Sequence, residues 1–380
     1  VIKVDLSKSV DFLLENAGDV IKYRLRKEIL HDLSEADEAY YLEKIMRLHY
    51  YQLLEKYQKP NGFIGVGLHS YDKFQETPLM DAENAARLIS YYAIPKTVPL
   101  VRRFAEALQD ELILEEEFSF LSSVLKLFRN RHIGTESGSS LQLLIDACLA
   151  LMGFGDDSGI ERTKKISFDA IESVLSLKSF LDITQYNPNV HRKYNYPYIL
   201  PDTLYPCVYH LQVLSHTYSW RNTETLKTLA DVLNRINAIT PEPVHIHVRA
   251  GNTYHTPLWE LSRPLKPYET NCTDSVCYRR SLTDIVMLGI GKQVEVTKIS
   301  AERLLDDLKA DGILRLAFKS AAEKRKFKAC LEYPGPYNDV RLEPDYKTDL
   351  SIWCDLTFWA VQFLSLYDAN QTQSSSIIFE

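Results

Sequence analysis

Apolar residues recur at helical spacing along most of the chain. Ile21, Leu25 and Ile29 fall at i, i+4 and i+8 behind Asp19, which predicts a helix capped by that aspartate. Leu42, Ile45, Met46, Leu53 and Tyr57 mark the next helix, and Thr77-Pro78 opens another with proline at its first position. The clearest stripe is Leu141, Leu144, Ile145, Cys148, Leu149 and Met152. Asn222 then caps a helix carrying Leu226, Leu229, Leu233 and Ile236. Such helices, joined by short polar turns, predict stacked helical hairpins. The last helix, roughly 349–366, is apolar almost all round, the pattern of a buried helix, and Asp355 is its one interior charge.

Two regions break the rhythm. Segment 186–206 carries four prolines and five tyrosines, too many breakers for a helix. Segment 240–275 pairs a short extended piece, VHIHVRA, with a proline-rich loop. Both read as loop insertions in a single domain spanning 1–380, since no low-complexity linker divides the chain. ILRLAFK (313–319) and KACLEY (328–333) suggest a small β-hairpin, the alternative being a helix that starts at Ala321.

Composition supports a helical fold: 45% of residues are hydrophobic, 25% are charged, and only 14 of 380 are glycine. The net charge of −7 argues against a nucleic-acid partner. The six cysteines are dispersed, and Cys272 and Cys277 fit neither a redox pair nor a zinc ribbon. That points to a reducing, cytoplasmic setting without structural disulfides. No apolar run reaches the roughly 18–20 residues of a membrane span, so no integral membrane segment is expected. No secretory signal is visible, and a leader removed ahead of Val1 is compatible with the sequence.

DVIKYRLRKEIL (19–30), the helix after it, and QKPNGFIG followed by LHSYD (58–72) resemble bacterial proteins with prenyltransferase/squalene-cyclase-type repeats. The resemblance is clearest over residues 19–110. It rests on Gln58, Gly62 and Phe63, which match the recurrent Gln–Gly–aromatic corner motif with phenylalanine in place of tryptophan. It implies an all-α fold, an α/α toroid of helical hairpins around a central cavity, and a corner motif that braces turns. The superfamily's catalytic signatures are missing. No DxDD occurs, Asp156-Asp157 lacks a third carboxylate, and Asp311 stands one residue too far from Asp306-Asp307 for DDxxD. No zinc-ligand set is assigned.

Several residues could carry chemistry, each with a plainer reading. Asp355 is costly inside an apolar helix unless paired, and its raised pKa would make it a general acid between Trp353 and Trp359; a salt bridge is the structural alternative. His69 and Asp72 form a candidate acid–base pair behind the corner motif, or simply pack and cap a turn. His245, His247 and His255 are the densest histidine cluster. On a strand, His245, His247 and Arg249 share one face, suited to an anionic ligand more than to a metal. Tyr196 and Tyr198 fit a cavity mouth or ordinary packing. Cys207-x-x-His210 has a ligand-like spacing but reads first as core. Ser281-Leu-Thr-Asp284 reads as a capping box, GTESGSS (134–140) as a capped helix entrance, and EKRKFK (323–328) as a solvated turn.

Two functions follow. One is a cavity that binds an apolar or mixed small molecule, isoprenoid-like by resemblance alone. The other is a non-catalytic helical-repeat scaffold for a protein partner. The sequence assigns neither a cofactor nor an oligomeric state.

Overall fold

The computed structural model describes residues 5–68, 81–118, 140–157, 159–186, 197–204, 206–239, 247–250, 253–255, 265–269, 275–330 and 340–369. Among them the fold is predominantly helical, with fifteen α-helices. The first seven are α1 (Ser7–Asn16), α2 (Asp19–Arg24), α3 (Glu35–Met46), α4 (His49–Tyr57), α5 (Ala82–Tyr91), α6 (Pro99–Gln109) and α7 (Glu111–Phe118). Four more run through the middle of the chain: α8 (Leu141–Leu149), α9 (Glu161–Glu172), α10 (Val208–Ser215) and α11 (Thr223–Ile239). The last four are α12 (Ser275–Met287), α13 (Glu295–Leu308), α14 (Ala321–Cys330) and α15 (Asp349–Asp368).

Local chemistry explains many helix starts. Ser34, Asp81, Ser140 and Thr348 each accept a backbone N–H from the first turn of α3, α5, α8 and α15. Asn222 accepts from Glu224 and Thr225 at the head of α11, both at 3.0 Å. Asp19 does not cap α2: the cap position belongs to Gly18, while the Asp19 carboxylate accepts from Lys44 at 3.0 Å. Helix α2 continues as a π-helical turn, Leu25–Leu30, and α8 as another, Ala150–Phe154. The Thr77-Pro78 helix start lies outside the described residues.

The corner after α4 is braced by the residues the sequence singled out. Gln58 Nε2 donates to Gly62 O at 3.2 Å and to Leu100 O, on α6, at 2.9 Å. Gly62 sits at φ +91°, and a Cβ there would meet Arg103 O at 2.6 Å, so glycine is required twice over. Phe63 is fully buried, edge-on to Phe104 with ring centroids 6.1 Å apart.

The two expected insertions pair with each other. Tyr198–Ile199 (β1) runs parallel to His247–Ala250 (β2), and β2 pairs antiparallel with Thr253–His255 (β3). The hairpin expected over 313–333 does not form, because 321–330 is α14. The Ser320 hydroxyl accepts the Glu323 N–H, and Glu323 reaches back to Lys319 N–H, a capping exchange that favours a helix over a strand. The first and last described helices meet. Helix α1 packs on α15, Ser9 Oγ donates to Gly312 O at 2.7 Å, and Gly18 N–H donates to Glu343 at 2.7 Å. Buried apolar side chains form two clusters, and α15 contributes to both.

Candidate functional site

A cavity of about 550 Å³ opens where α15 faces α2 and α12. On α15 its wall is Asp355, Phe358, Trp359, Gln362 and Leu366, a single stripe at helical spacing. On α12 it is Arg279, Arg280, Thr283, Asp284 and Met287, again one face. Helix α10 contributes Gln212, and His216 lies just beyond its last residue. Both π-helical turns border the cavity, through Lys27, Glu28 and Ile29 on one side and Leu151, Met152 and Gly153 on the other. Such turns shift backbone and side chains relative to a regular helix and recur at functional sites.

Six cationic side chains (Arg24, Lys27, Arg87, Lys96, Arg279, Arg280) line the cavity, against four acids (Glu28, Glu38, Asp284, Asp355). Arg24 donates to both Glu28 oxygens, at 2.6 and 2.9 Å, and lies 5.0 Å over the Phe358 ring. Gln362 donates to the same carboxylate at 2.9 Å, tying α15 to α2. Arg87 is buried against Glu83, which also accepts the Tyr209 hydroxyl at 2.8 Å. Trp359 Nε1 donates to Thr283 Oγ1 at 3.1 Å, locking α15 to α12.

Asp355 is buried in this wall. It accepts the Leu342 N–H at 3.1 Å and the Tyr346 hydroxyl, both from the segment 340–346 that crosses the cavity edge. Burial pushes its carboxyl well above the usual carboxylate range, and the charge of Glu343 adds to the effect; the bonds from Tyr346 and Leu342 oppose it. Burial likewise raises Glu343 to about 7, although the Gly18 N–H bond works against it.

Of the expected site residues, the cavity brings together Asp355 and Trp359. Trp353 points elsewhere: it is half-buried, with the Arg315 guanidinium 4.8 Å over its ring. His247, Arg249 and Tyr198 lie on the three-stranded sheet and do not line this cavity; Arg249 donates to the Tyr198 hydroxyl at 3.0 Å. His255 is in β3, but its side chain falls outside the described residues, as do His69, Asp72, Tyr196 and His245 altogether.

Cys207 and His210 form a cap, with His210 Nδ1 accepting the Cys207 N–H at 3.1 Å. Among the described residues, no group of three or more His, Cys, Asp or Glu side chains could hold a metal ion. Asp284 is not a helix cap. It sits inside α12, its Oδ1 3.1 Å from Ser215 Oγ and 3.5 Å from His216 Nε2. Sequence reasoning passed over Arg24, Arg279, Arg280 and His216. The Arg279-Arg280 doublet was the available signal, and His216 had none. Comparison of the chain with protein-family models, curated proteins and solved structures finds no match.

Proposed function

We propose that the cavity binds a small molecule with an apolar body and an anionic head. The observation that carries this reading is charge placement: a chain of net charge −7 gathers six cationic side chains against four acids on one cavity, beside apolar and aromatic walls. About 550 Å³ is the size of a small-molecule site. Arginine suits carboxylate and phosphate oxygens through its planar fork. Phe358, Trp359, Met287 and Leu366 offer the surface for an apolar body. A closed toroid of hairpins around this cavity is supported by the packing of α1 on α15. An isoprenoid body is supported by the resemblance at the 58–72 corner alone. A cytoplasmic setting is supported by the buried free thiols Cys148, Cys207 and Cys354.

Calorimetric titration with dodecanoate, dodecyl phosphate and dodecanol tests the reading. Both anions should bind, the alcohol at least about tenfold more weakly, and added salt should narrow the gap. Equal affinity for the alcohol, or no binding of any of the three, would sink it.

A further inference from the structure

Two buried acids meet at one edge of the cavity. Residues 340–346 line it through Val340, Leu342 and Tyr346, and Asp355 of α15 stands beside them in the wall. Glu343 lies on the same segment without lining the cavity, and Gly18 N–H, at the corner of α1 and α2, donates to it at 2.7 Å. Asp355 is 8% exposed and Glu343 6%. Among the described residues their donors are all uncharged: Leu342 N–H and the Tyr346 hydroxyl on Asp355, Gly18 N–H on Glu343. A buried carboxylate held by neutral donors is costly to ionise, and two that feel each other resist ionising together.

The charges facing the pair come from several elements. Lys22 and Asp19 of α2, with Asp345 of the segment itself, act on Glu343: one cation against two acids. Arg279 of α12 acts on Asp355 through space, as does Glu343. Arg341 lies over the rings of Tyr50 and Tyr346, and Tyr92 donates to its carbonyl. Burial raises the neighbouring Cys354 thiol to about 12, so it stays neutral. Arg24 and Glu28 satisfy each other, and His216 and Asp284 stand on the α10–α12 side. An anion in the cavity adds a further negative charge. With both acids protonated it meets none at this edge; with one ionised it meets one. At an effective dielectric constant of about 20, unit charges about 10 Å apart change an equilibrium roughly tenfold.

We propose that Asp355 and Glu343 form a proton-sharing pair that regulates the cavity, so that an anionic ligand is taken up together with a proton and released as the pair ionises. This rests on the binding reading above. The proton comes from solvent and returns to it on release, so nothing else is consumed. By linkage, the factor by which ionisation weakens the anion is the factor by which the bound anion tightens the proton. Glu343, at about 7, places the change in the neutral range.

Calorimetric titration with decanesulfonate, an anion at every pH used, tests this at about pH 6, 7 and 8. Each pH is run in two buffers of different ionisation heat, with circular dichroism confirming the fold. Affinity should fall at least about tenfold across the range, and the buffer difference should show net proton uptake at neutral pH. Decanol should change less than about twofold, because it carries no charge. Glu343→Gln keeps an acceptor for Gly18 N–H and should lower the uptake by at least about half. The Glu343→Gln, Asp355→Asn double variant should abolish it; where that variant does not fold, an undiminished uptake in Glu343→Gln overturns the proposal. His216→Gln should keep the wild-type pH dependence. If the dependence vanishes there and survives in the acid variants, the histidine carries the proton and the proposal falls. If decanesulfonate binds equally at every pH, the proton link fails and the binding site stands; if neither it nor dodecanoate binds at any pH, both fail.

Discussion

The cavity has two walls that each carry an acid, buried Asp355 and half-buried Asp284, and the two acids are held differently. On the 340–346 side, Asp355 receives a backbone N–H and a phenol from a crossing segment. That segment is fastened further by Tyr92 donating to Arg341 O at 3.3 Å, by Glu343 on Gly18 N–H, and by Phe327 stacked parallel to Tyr346 with centroids 6.4 Å apart. On the α10–α12 side, Asp284 meets the side chains of Ser215 and His216, and the far nitrogen of that histidine has no hydrogen-bond partner among the described residues. Burial of an acid therefore does not mark chemistry by itself. What separates the two is where the contacts end: on the backbone and phenol of a crossing segment, or on the side chains that close α10.

The largest expected effect tests that contrast directly. Asp355→Ala removes the buried acceptor of the Leu342 N–H and the Tyr346 hydroxyl. At roughly 1–3 kcal/mol for each lost bond, urea denaturation should show a loss of about 2–6 kcal/mol. Asp284→Ala should cost about 1 kcal/mol or less, because Ser215 Oγ keeps the Gln212 carbonyl, 3.0 Å away, as an acceptor. If Asp284→Ala proved the more destabilising, Asp284 rather than Asp355 would be the acid on which the fold depends.

The next effect is set by pH. Glu343 rises from 4.5 to about 7 on folding, so between those values the folded chain holds a proton that the unfolded chain has lost. Stability from this group is complete below about 4.5 and is lost as pH rises through about 7. At roughly 1.4 kcal/mol per unit, the loss is of order 3 kcal/mol. Denaturation at stepped pH should show this decline, and Glu343→Gln should flatten it. Asp355 is displaced in the same direction, so any slope that survives Glu343→Gln should disappear in the Glu343→Gln, Asp355→Asn double variant. A wild-type curve that rises over the same window would show that Glu343 is ionised and paired in the folded protein.

The sequence carried the helices well, because apolar spacing and caps are local signals. The stripe at 141–152 and the Asn222 cap were legible for that reason, and so was the corner of Gln58, Gly62 and Phe63. Asp355 was legible because a single charge in an apolar helix conflicts with its surroundings. The pairing of 198–199 with 247–248 was not, since two distant loops must meet to form it. Nor were the arginines of the cavity. Arg24 looks like the polar face of an ordinary amphipathic helix, and only the packing of α2 against α15 turns that face inward. Asp284 misled for a related reason: Ser281 and Asp284 have capping-box spacing, but α12 is already under way from Ser275.

The smallest effect concerns two histidines six residues apart at the two ends of α10, which sequence alone cannot tell apart. His210 is fully buried, and its Nδ1 accepts the Cys207 N–H at the start of the helix. His210→Ala removes that cap and should lower stability by about 1 kcal/mol, within the usual range for cap loss. His216 lies at the other end, its Nδ1 buried without a hydrogen-bond partner among the described residues. His216→Ala removes an unsatisfied acceptor, so the gain there offsets much of the lost packing, and the net change should stay within about 0.5 kcal/mol. If thermal denaturation showed His216→Ala to be the more damaging of the two, His216 rather than His210 would be the packing residue of the pair.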